Sequence, residues 1–143
     1  MIWHLAAWIA VLGFWVFVSR HNHPHLGINA IATALLVTTF AAAVYANHLW
    51  LLPRYRRDGR FAAYATALPV VMASLSLACV AAIRLVYDAL WGPDPLRFGF
   101  WTNFGMDMTG VTIHVTAVAV GVWSFGRIAR CRGRIEPTSE PGL

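Results

Sequence analysis

The sequence predicts an all-α integral membrane protein, a bundle of four transmembrane helices, and two observations carry that prediction. First, 59% of the 143 residues are hydrophobic and only 12% are charged, against about 25% charged residues in an average soluble domain. Second, the apolar residues form four stretches that approach or exceed the length needed to cross a hydrocarbon layer of about 30 Å. A soluble domain of this size buries only a modest core, so lipid is the solvent that the composition fits.

The helix boundaries follow from where the apolar stretches begin and end. The second stretch is expected to end at Pro53 and the third to kink at Pro69, because proline lacks the backbone N–H that a helix needs. The first stretch has neither the basic start nor the cleavage site of a secretion signal, so it is expected to stay as a helix. The four predicted helices span residues 2–18, 26–52, 61–90 and 109–128.

The domain organisation is simple. Residues 1–130 are expected to form one four-helix transmembrane domain, with no internal repeat and no second domain. The polar residues 131–143 contain two prolines and are expected to form a flexible cytoplasmic tail. The two cysteines, Cys79 and Cys131, lie at different depths along the bundle and are therefore predicted not to form a disulfide.

The distribution of arginine sets the expected orientation. An even number of spans places the two arginine clusters and the N-terminus on one side, and the positive-inside rule makes that side cytoplasmic. We therefore expect an N-in/C-in protein in the cytoplasmic (inner) membrane, and no nucleic-acid partner. The clusters are Arg54, Arg56, Arg57 and Arg60 in one connection, and Arg127, Arg130, Arg132 and Arg134 after the last helix.

Small residues recur at helical spacing in the predicted helices. Such stripes let helix backbones approach closely, which is how helices associate in lipid. On the first and fourth helices they include Ala10, Gly13 and Gly121. A flat bundle of four helices cannot cover every stripe, so these residues are predicted contacts for another membrane protein.

Aromatic residues are dense in the predicted outer segment, residues 91–108. Trp91, Phe98 and Trp101 lie there among Gly, Pro and Asp. Aromatic side chains of that kind favour the headgroup region of a membrane, so the segment is expected to lie in the interface and to add a partner contact. A lid over an outer-facing pocket is the alternative.

Three alternating histidines follow the first helix. His21, His23 and His25 present imidazoles in a His-x-His-x-His pattern that an extended chain offers to zinc or copper. Asp107 or His114 is a distant candidate for a fourth ligand. Pro24 fits a turn equally well, so the pattern leaves both readings open.

Three further histidines are candidate ligands of a tetrapyrrole. His4 and His48 each lie about one turn from the cytoplasmic end of a predicted helix, the matching depth that a haem bridging two helices needs. A bacteriochlorophyll needs only one of them. His114 shares a face with Gly110 and Gly121 and is expected to point into the bundle, where a hydrogen bond across helices is the other interpretation.

No pattern typical of an enzyme is present. The sequence has no Gly-rich phosphate loop, no nucleophile beside a base and no closely spaced carboxylate pair. Arg84 and Asp88 stand four residues apart and are interpreted as a structural ion pair. Asp107 is predicted to precede the fourth helix and to cap its positive N-terminal end.

The connection between the second and third helices resembles a known family. A motif of about 18 residues there is similar to the membrane input region of sensor histidine kinases that work with LytTR-type response regulators. His4 and Trp8 early in the first helix and the N-in/C-in layout are similar as well, so the likeness covers about the first 130 residues. The matching residues are Asn47, Pro53, Arg54, Tyr55 and Tyr64.

This resemblance implies a membrane input module. The kinases of that family continue into a segment with a phosphoacceptor histidine and an ATP-binding domain, and the sequence up to Leu143 contains neither. No kinase active-site residue is therefore carried over. Without reference to the family, Asn47 is expected to form a hydrogen bond across helices near the interface.

Two functions follow from these observations. The first is a non-enzymatic membrane module that acts through lateral helix contacts, as an accessory or scaffold subunit of a larger complex or as a sensor-type input domain. Its partners are other integral membrane proteins and lipids. The alternative is a subunit of an electron-transfer or photosynthetic complex that binds haem or bacteriochlorophyll through His4, His48 or His114.

Overall fold

The computed structural model describes residues 2–21, 25–92 and 98–132, with side chains up to Arg127. The described residues are helical apart from short turns. The elements are α1 (Ile2–Ser19), α2 (Leu26–Tyr45), a π-helical segment (Ala46–Leu51), α3 (Leu52–Arg57), α4 (Phe61–Trp91) and α5 (Phe100–Arg132). Within the described chain, four helical rods are long and apolar enough to cross a membrane: Ile2–Ser19, Leu26–Arg57, Phe61–Trp91 and Phe100–Arg127.

Helix α2 is the centre of the bundle. It packs against α1, α4 and α5, and α4 also packs against α5. Eight residues of α2 are buried, whereas none in α1 is. The apolar core consists of Phe40, Ala43 and Val44 from α2, Met72 from α4, and Val111 and Val115 from α5.

A glycine on α5 sets how closely that helix approaches α2. The ring of Phe40, 1% exposed, lies over Gly110, and a Cβ atom at Gly110 would come within 2.6 Å of the Phe40 Cζ atom. That distance is well below van der Waals contact. By contrast, a Cβ at Gly121, three turns later, would have no neighbour within 4 Å.

The prediction that Pro53 ends the second helix is wrong. The helix continues through Leu52–Arg57, because the turn before it widens into the π-helical segment Ala46–Leu51. In that wider turn the backbone N–H of Leu52 donates to the Asn47 carbonyl, five residues earlier. Pro53 then occupies the first turn of α3, where a missing N–H costs little.

The predicted start of the fourth helix is also wrong. Helix α5 begins at Phe100, nine residues before the expected start at Thr109, with a hydrogen bond of 3.1 Å from the Asn103 N–H to the Gly99 carbonyl. The expected interfacial segment 91–108 is therefore helical from Phe100 onward, and residues 93–97 lie outside the described chain. Gly, Asn and Asp lower helix propensity in this stretch, but packing against α2 and α4 compensates.

The remaining boundaries agree with expectation. The structure confirms α1, and confirms that α4 runs through Pro69 to Trp91. Gly92 ends α4 with φ 80°, a backbone conformation that favours glycine. Cys79 is a buried free thiol. The predicted tail, residues 131–143, begins within α5 and lies outside the described chain after Arg132.

The close approach at Gly110 predicts a position-specific stability effect. Gly110→Ala should lower the stability of the purified protein by roughly 1–3 kcal/mol, because the added methyl group overlaps the buried Phe40 ring. Gly121→Ala is the matched control, since its methyl group meets open space and should leave stability unchanged or slightly higher. Denaturant titration in detergent, followed by circular dichroism, measures both. Equal effects of the two variants would contradict the helix packing described here.

Candidate functional site

A cavity of about 380 Å³ lies between four helices. Phe40, Thr33 and Leu36 of α2 line one wall, Trp15 of α1 and Ile83 of α4 flank it, and Asp107 of α5 contributes the only charged side chain among the described lining residues. The volume falls within the range of roughly 300–1,000 Å³ that is typical of small-molecule sites. The exposed lining residues Met106 and Ile113 place its opening along α5.

Asp107 is the unusual residue of this cavity. It is 3% exposed, and neither carboxylate oxygen accepts a hydrogen bond. The Ser76 hydroxyl on α4, fully buried and without another partner, faces this carboxyl group and is a hydrogen-bond donor beside it. An unsatisfied buried polar group costs roughly 1–3 kcal/mol, and more if it is charged. The fold therefore maintains a carboxyl group in a place where it weakens the bundle.

The structure changes the role expected for Asp107. It is the eighth residue of α5, about 10 Å from the helix start, and therefore does not cap that helix. The error follows from the misplaced helix boundary. Its actual position, inside a predicted membrane span, is the pattern in which an ionisable residue is functional by default.

Beside the cavity, a hydrogen-bonded cluster joins α1 to α2. Asn29 is fully buried and every polar atom of its side chain is used. Its Oδ1 accepts from the Ser19 hydroxyl at 2.6 Å and from the Thr33 hydroxyl at 3.1 Å, and its Nδ2 donates to the Val16 carbonyl at 2.8 Å. The Ser19 hydroxyl also lies 2.6 Å from the Trp15 carbonyl, so its one hydrogen is shared between that oxygen and Asn29. This cluster holds the end of α1 against the start of α2.

Arg84, the cation predicted to pair with Asp88, reaches toward the start of α5. Its Nη2 donates to the Phe98 carbonyl at 2.8 Å, and its guanidinium lies 5.2 Å from the centre of the Phe100 ring. The Nε atom is buried without a hydrogen-bond partner. Arg84 therefore holds the backbone at one edge of the cavity but is not one of its lining residues.

His114 packs among aromatic rings beside the cavity. Its ring stacks on Phe40 at 4.3 Å between centroids, and its Nδ1 lies 2.8 Å from the Gly110 carbonyl of its own helix. Trp15 of α1 approaches the same ring at 6.2 Å. The expectation that His114 points into the bundle is confirmed, and Nε2 is the nitrogen left for another partner.

The other two tetrapyrrole candidates differ in environment. His4 is exposed on α1, with its ring 6.4 Å from that of Tyr45 on α2. His48 is half-buried in the π-helical segment. Neither histidine lines the cavity described above.

The candidate metal ligands are only partly described. His21 and His25 are exposed, and His23 lies outside the described residues. The Nε2 atom of His21 accepts a hydrogen bond of 3.0 Å from Arg20. Across the described chain, no three His, Cys, Asp or Glu side chains converge in a metal-binding arrangement.

The predicted partner contacts lie on the outside of the bundle. Ala10 and Gly13 are exposed on α1, and Gly121 on α5 is half-buried, with open space beside its Cα atom. Trp91, Phe98 and Trp101 are exposed around the end of α4 and the start of α5. These surfaces are free in the isolated chain.

Two residues of the family-like motif are brought together. The Tyr64 hydroxyl of α4 donates to the Oδ1 atom of Asn47 at 2.8 Å, which confirms the expected hydrogen bond across helices. Asn47 is 4% exposed, and the Tyr55 ring packs edge-on against Tyr64 at 6.3 Å. Pro53 and Arg54 are exposed nearby. The motif therefore forms a joint between the second and third membrane spans.

Sequence reasoning missed Asn29 and Ser76 and misjudged Asp107. A usable signal was present, because each is a polar residue within or beside an apolar stretch. In lipid such residues face the bundle interior and find partners there.

Comparison with protein-family models, with curated proteins and with solved structures finds no match.

Proposed function

We propose that this chain is a non-enzymatic integral membrane module of the input type, which binds a small ligand in the Asp107 cavity and acts on other membrane proteins through lateral helix contacts. The observation that carries this proposal is the buried Asp107 carboxyl group, which lines a cavity of about 380 Å³ with neither oxygen hydrogen-bonded. A ligand that donates hydrogen bonds to those oxygens offsets the cost of burying the carboxyl group.

The neighbouring cluster supports a functional reading of Asp107. The fold satisfies every polar atom of the Asn29 side chain, next to the lining residues Ser19 and Thr33, with short hydrogen bonds. The same bundle gives Asp107 only the facing Ser76 hydroxyl, although leucine or alanine would serve packing there at no electrostatic cost. The difference supports a role for Asp107 in binding.

The exposed stripes support the second half of the proposal. Lipid gives no hydrophobic gain for helix association, so contacts between membrane proteins depend on small residues that allow close packing. Gly110 packs against Phe40 inside the bundle. By contrast, a Cβ atom at Gly13 or Gly121 would have no neighbour within 4 Å. Helix α1 has no buried residue at all. These flanks are suited to a neighbouring helix.

The joint between Asn47 and Tyr64 fits the input-type interpretation. It links the two spans on either side of the arginine-rich connection, the part of the sequence that resembles sensor kinase input regions. A ligand-dependent change in the packing of α2 and α4 would pass through this joint to the cytoplasmic side.

The arginine distribution supports the membrane and the orientation. We place the protein in the cytoplasmic membrane with both termini inside, because the connection around Arg54–Arg60 and the end of α5 carry most of the positive charge. The Asp107 cavity then opens in the outer half of the membrane.

This topology predicts a labelling pattern. In a variant with Cys79→Ala and Cys131→Ala, a cysteine introduced by Asp58→Cys should resist an impermeant thiol reagent in intact cells, and one introduced by Gly99→Cys should react. Both positions are exposed, so location alone separates them. Permeabilised cells, in which both must react, are the control. Labelling of position 58 in intact cells would refute the orientation.

Ligand binding predicts a retained molecule. Native mass spectrometry of the protein isolated gently from its own membranes should show an additional small-molecule mass, and Ile113→Trp, at the exposed edge of the cavity, should lose it. The exposed Val120→Trp, two turns further along α5 and outside the cavity, is the matched control. Wild-type protein that is always empty contradicts ligand binding. A visible absorption band would indicate a tetrapyrrole instead.

Lateral contact predicts a release phenotype. Gly121→Leu or Ala10→Leu should leave the protein inserted but free it from its native complex in mild detergent, because a bulky side chain separates the helices. Ala119→Leu, at an exposed position on another face of α5, should remain in the complex. Blue native electrophoresis with cross-linking distinguishes these outcomes. Wild-type protein that runs alone in several mild detergents, without a cross-linked neighbour, excludes this mode of action.

A further inference from the structure

We infer that the ligand of the Asp107 cavity is a lipophilic organic ammonium ion that carries N–H donors. This inference rests on the proposed function, since it names the chemical class of the molecule that occupies the same site. It follows from the charge of the lining side chains, from the direction of their hydrogen bonds and from the surrounding aromatic rings.

The charge of the lining selects a cation. Asp107 is the only ionisable side chain among the described residues that line the cavity. Arg84, at one edge of the cavity, is engaged with the Phe98 carbonyl and the Phe100 ring. An anionic ligand would therefore meet a carboxyl group with no compensating charge, whereas a cation forms a charge-assisted pair that a buried carboxylate requires.

The hydroxyl groups of the lining select a hydrogen-bond donor. The single hydroxyl hydrogen of Ser19 is shared between the Trp15 carbonyl and the Asn29 Oδ1 atom, and Thr33 donates to Asn29. Thr109 donates to the Gly105 carbonyl of its own helix at 2.9 Å. Each hydroxyl hydrogen is thus directed to an acceptor within the protein, so the oxygens offer only lone pairs to a ligand. Apart from the amide of Asn103 and the indole of Trp15, which carry N–H donors, these oxygens and Asp107 form an accepting surface. An ammonium N–H group is complementary to that surface.

The apolar lining selects an organic cation over a metal ion. Trp15 and Phe98 line the cavity together with aliphatic side chains, and aromatic faces attract organic cations by about 0.5–2 kcal/mol each. Calcium requires about six to eight oxygen ligands and magnesium a near-octahedral set. A single carboxyl group among aromatic and aliphatic side chains does not supply either set.

The test compares two molecules of matched shape. The probe is 2-phenylethylamine, cationic at neutral pH, and 2-phenylethanol is its neutral counterpart. Calorimetric titration of the full-length protein in lipid nanodiscs, emptied of native ligand, should give an affinity for the amine at least about tenfold above that for the alcohol, as one charge-assisted hydrogen bond implies. Phenylethyltrimethylammonium, a cation without N–H groups, should bind more weakly than the amine.

Two variants connect the preference to Asp107. Asp107→Asn keeps the shape of the side chain and should reduce amine affinity to that of the alcohol, whereas Asp58→Asn removes an exposed carboxylate in the arginine-rich turn and should have no effect. If Asp107→Asn does not fold, Ile113→Trp serves instead, because it obstructs the cavity and leaves the carboxyl group in place; it should abolish saturable binding of the amine.

The possible results separate this inference from the proposed function. Equal binding of amine and alcohol, unchanged by Asp107→Asn, overturns the ammonium ligand while the cavity remains a binding site. Saturable amine binding that survives both Asp107→Asn and Ile113→Trp places the amine elsewhere and overturns the inference. Absence of saturable binding by any probe, combined with wild-type protein that is empty when isolated from its own membranes, overturns both.

Discussion

The contact between Phe40 and Gly110 is the constraint on which the rest of the bundle depends. Because Gly110 has no side chain, the buried Phe40 ring occupies the space beside its backbone, and α5 approaches α2 closely at this one point. Asp107 lies one turn before Gly110 and His114 one turn after it. The same contact therefore positions the carboxyl group in the cavity and brings the His114 ring onto Phe40.

Buried polar groups, more than apolar area, give this bundle its specificity. In lipid, an apolar side chain is surrounded by hydrocarbon whether it faces the membrane or the bundle interior. The burial of apolar side chains therefore does little to favour one arrangement of the helices over another. Asn29 and Asn47 fix two different helix pairs through directed hydrogen bonds. Asp107 and Ser76 are buried to a similar extent without such bonds. We therefore infer that Asn29 and Asn47 stabilise the bundle, whereas Asp107 and Ser76 are available for binding.

The four long helices could be predicted from the sequence, because a long apolar stretch in lipid can satisfy its backbone hydrogen bonds only as a helix or within a closed barrel. It was insufficient where a local rule competed with packing. Pro53 has the features of a helix stop, but the π-helical turn before it accommodates the missing N–H. Residues 100–108 have weak helix propensity, yet they pack against α2 and α4 as helix. The cavity could not be predicted, because it depends on which helix faces pack against each other. The spacing of residues along one helix does not show which other helix that face contacts.

Helix α1 is attached to the bundle at two separated polar points. Near its start the Trp8 indole N–H donates to the Tyr45 hydroxyl at 3.1 Å, and at its end Ser19 and the Val16 carbonyl bond to Asn29. Between these points no residue of α1 is buried. Trp15, between these points, packs on the rings of Phe40 and His114. A shift of α1 would therefore displace Trp15 at the cavity together with the exposed small residues of α1, which couples the interior of the bundle to its outer surface.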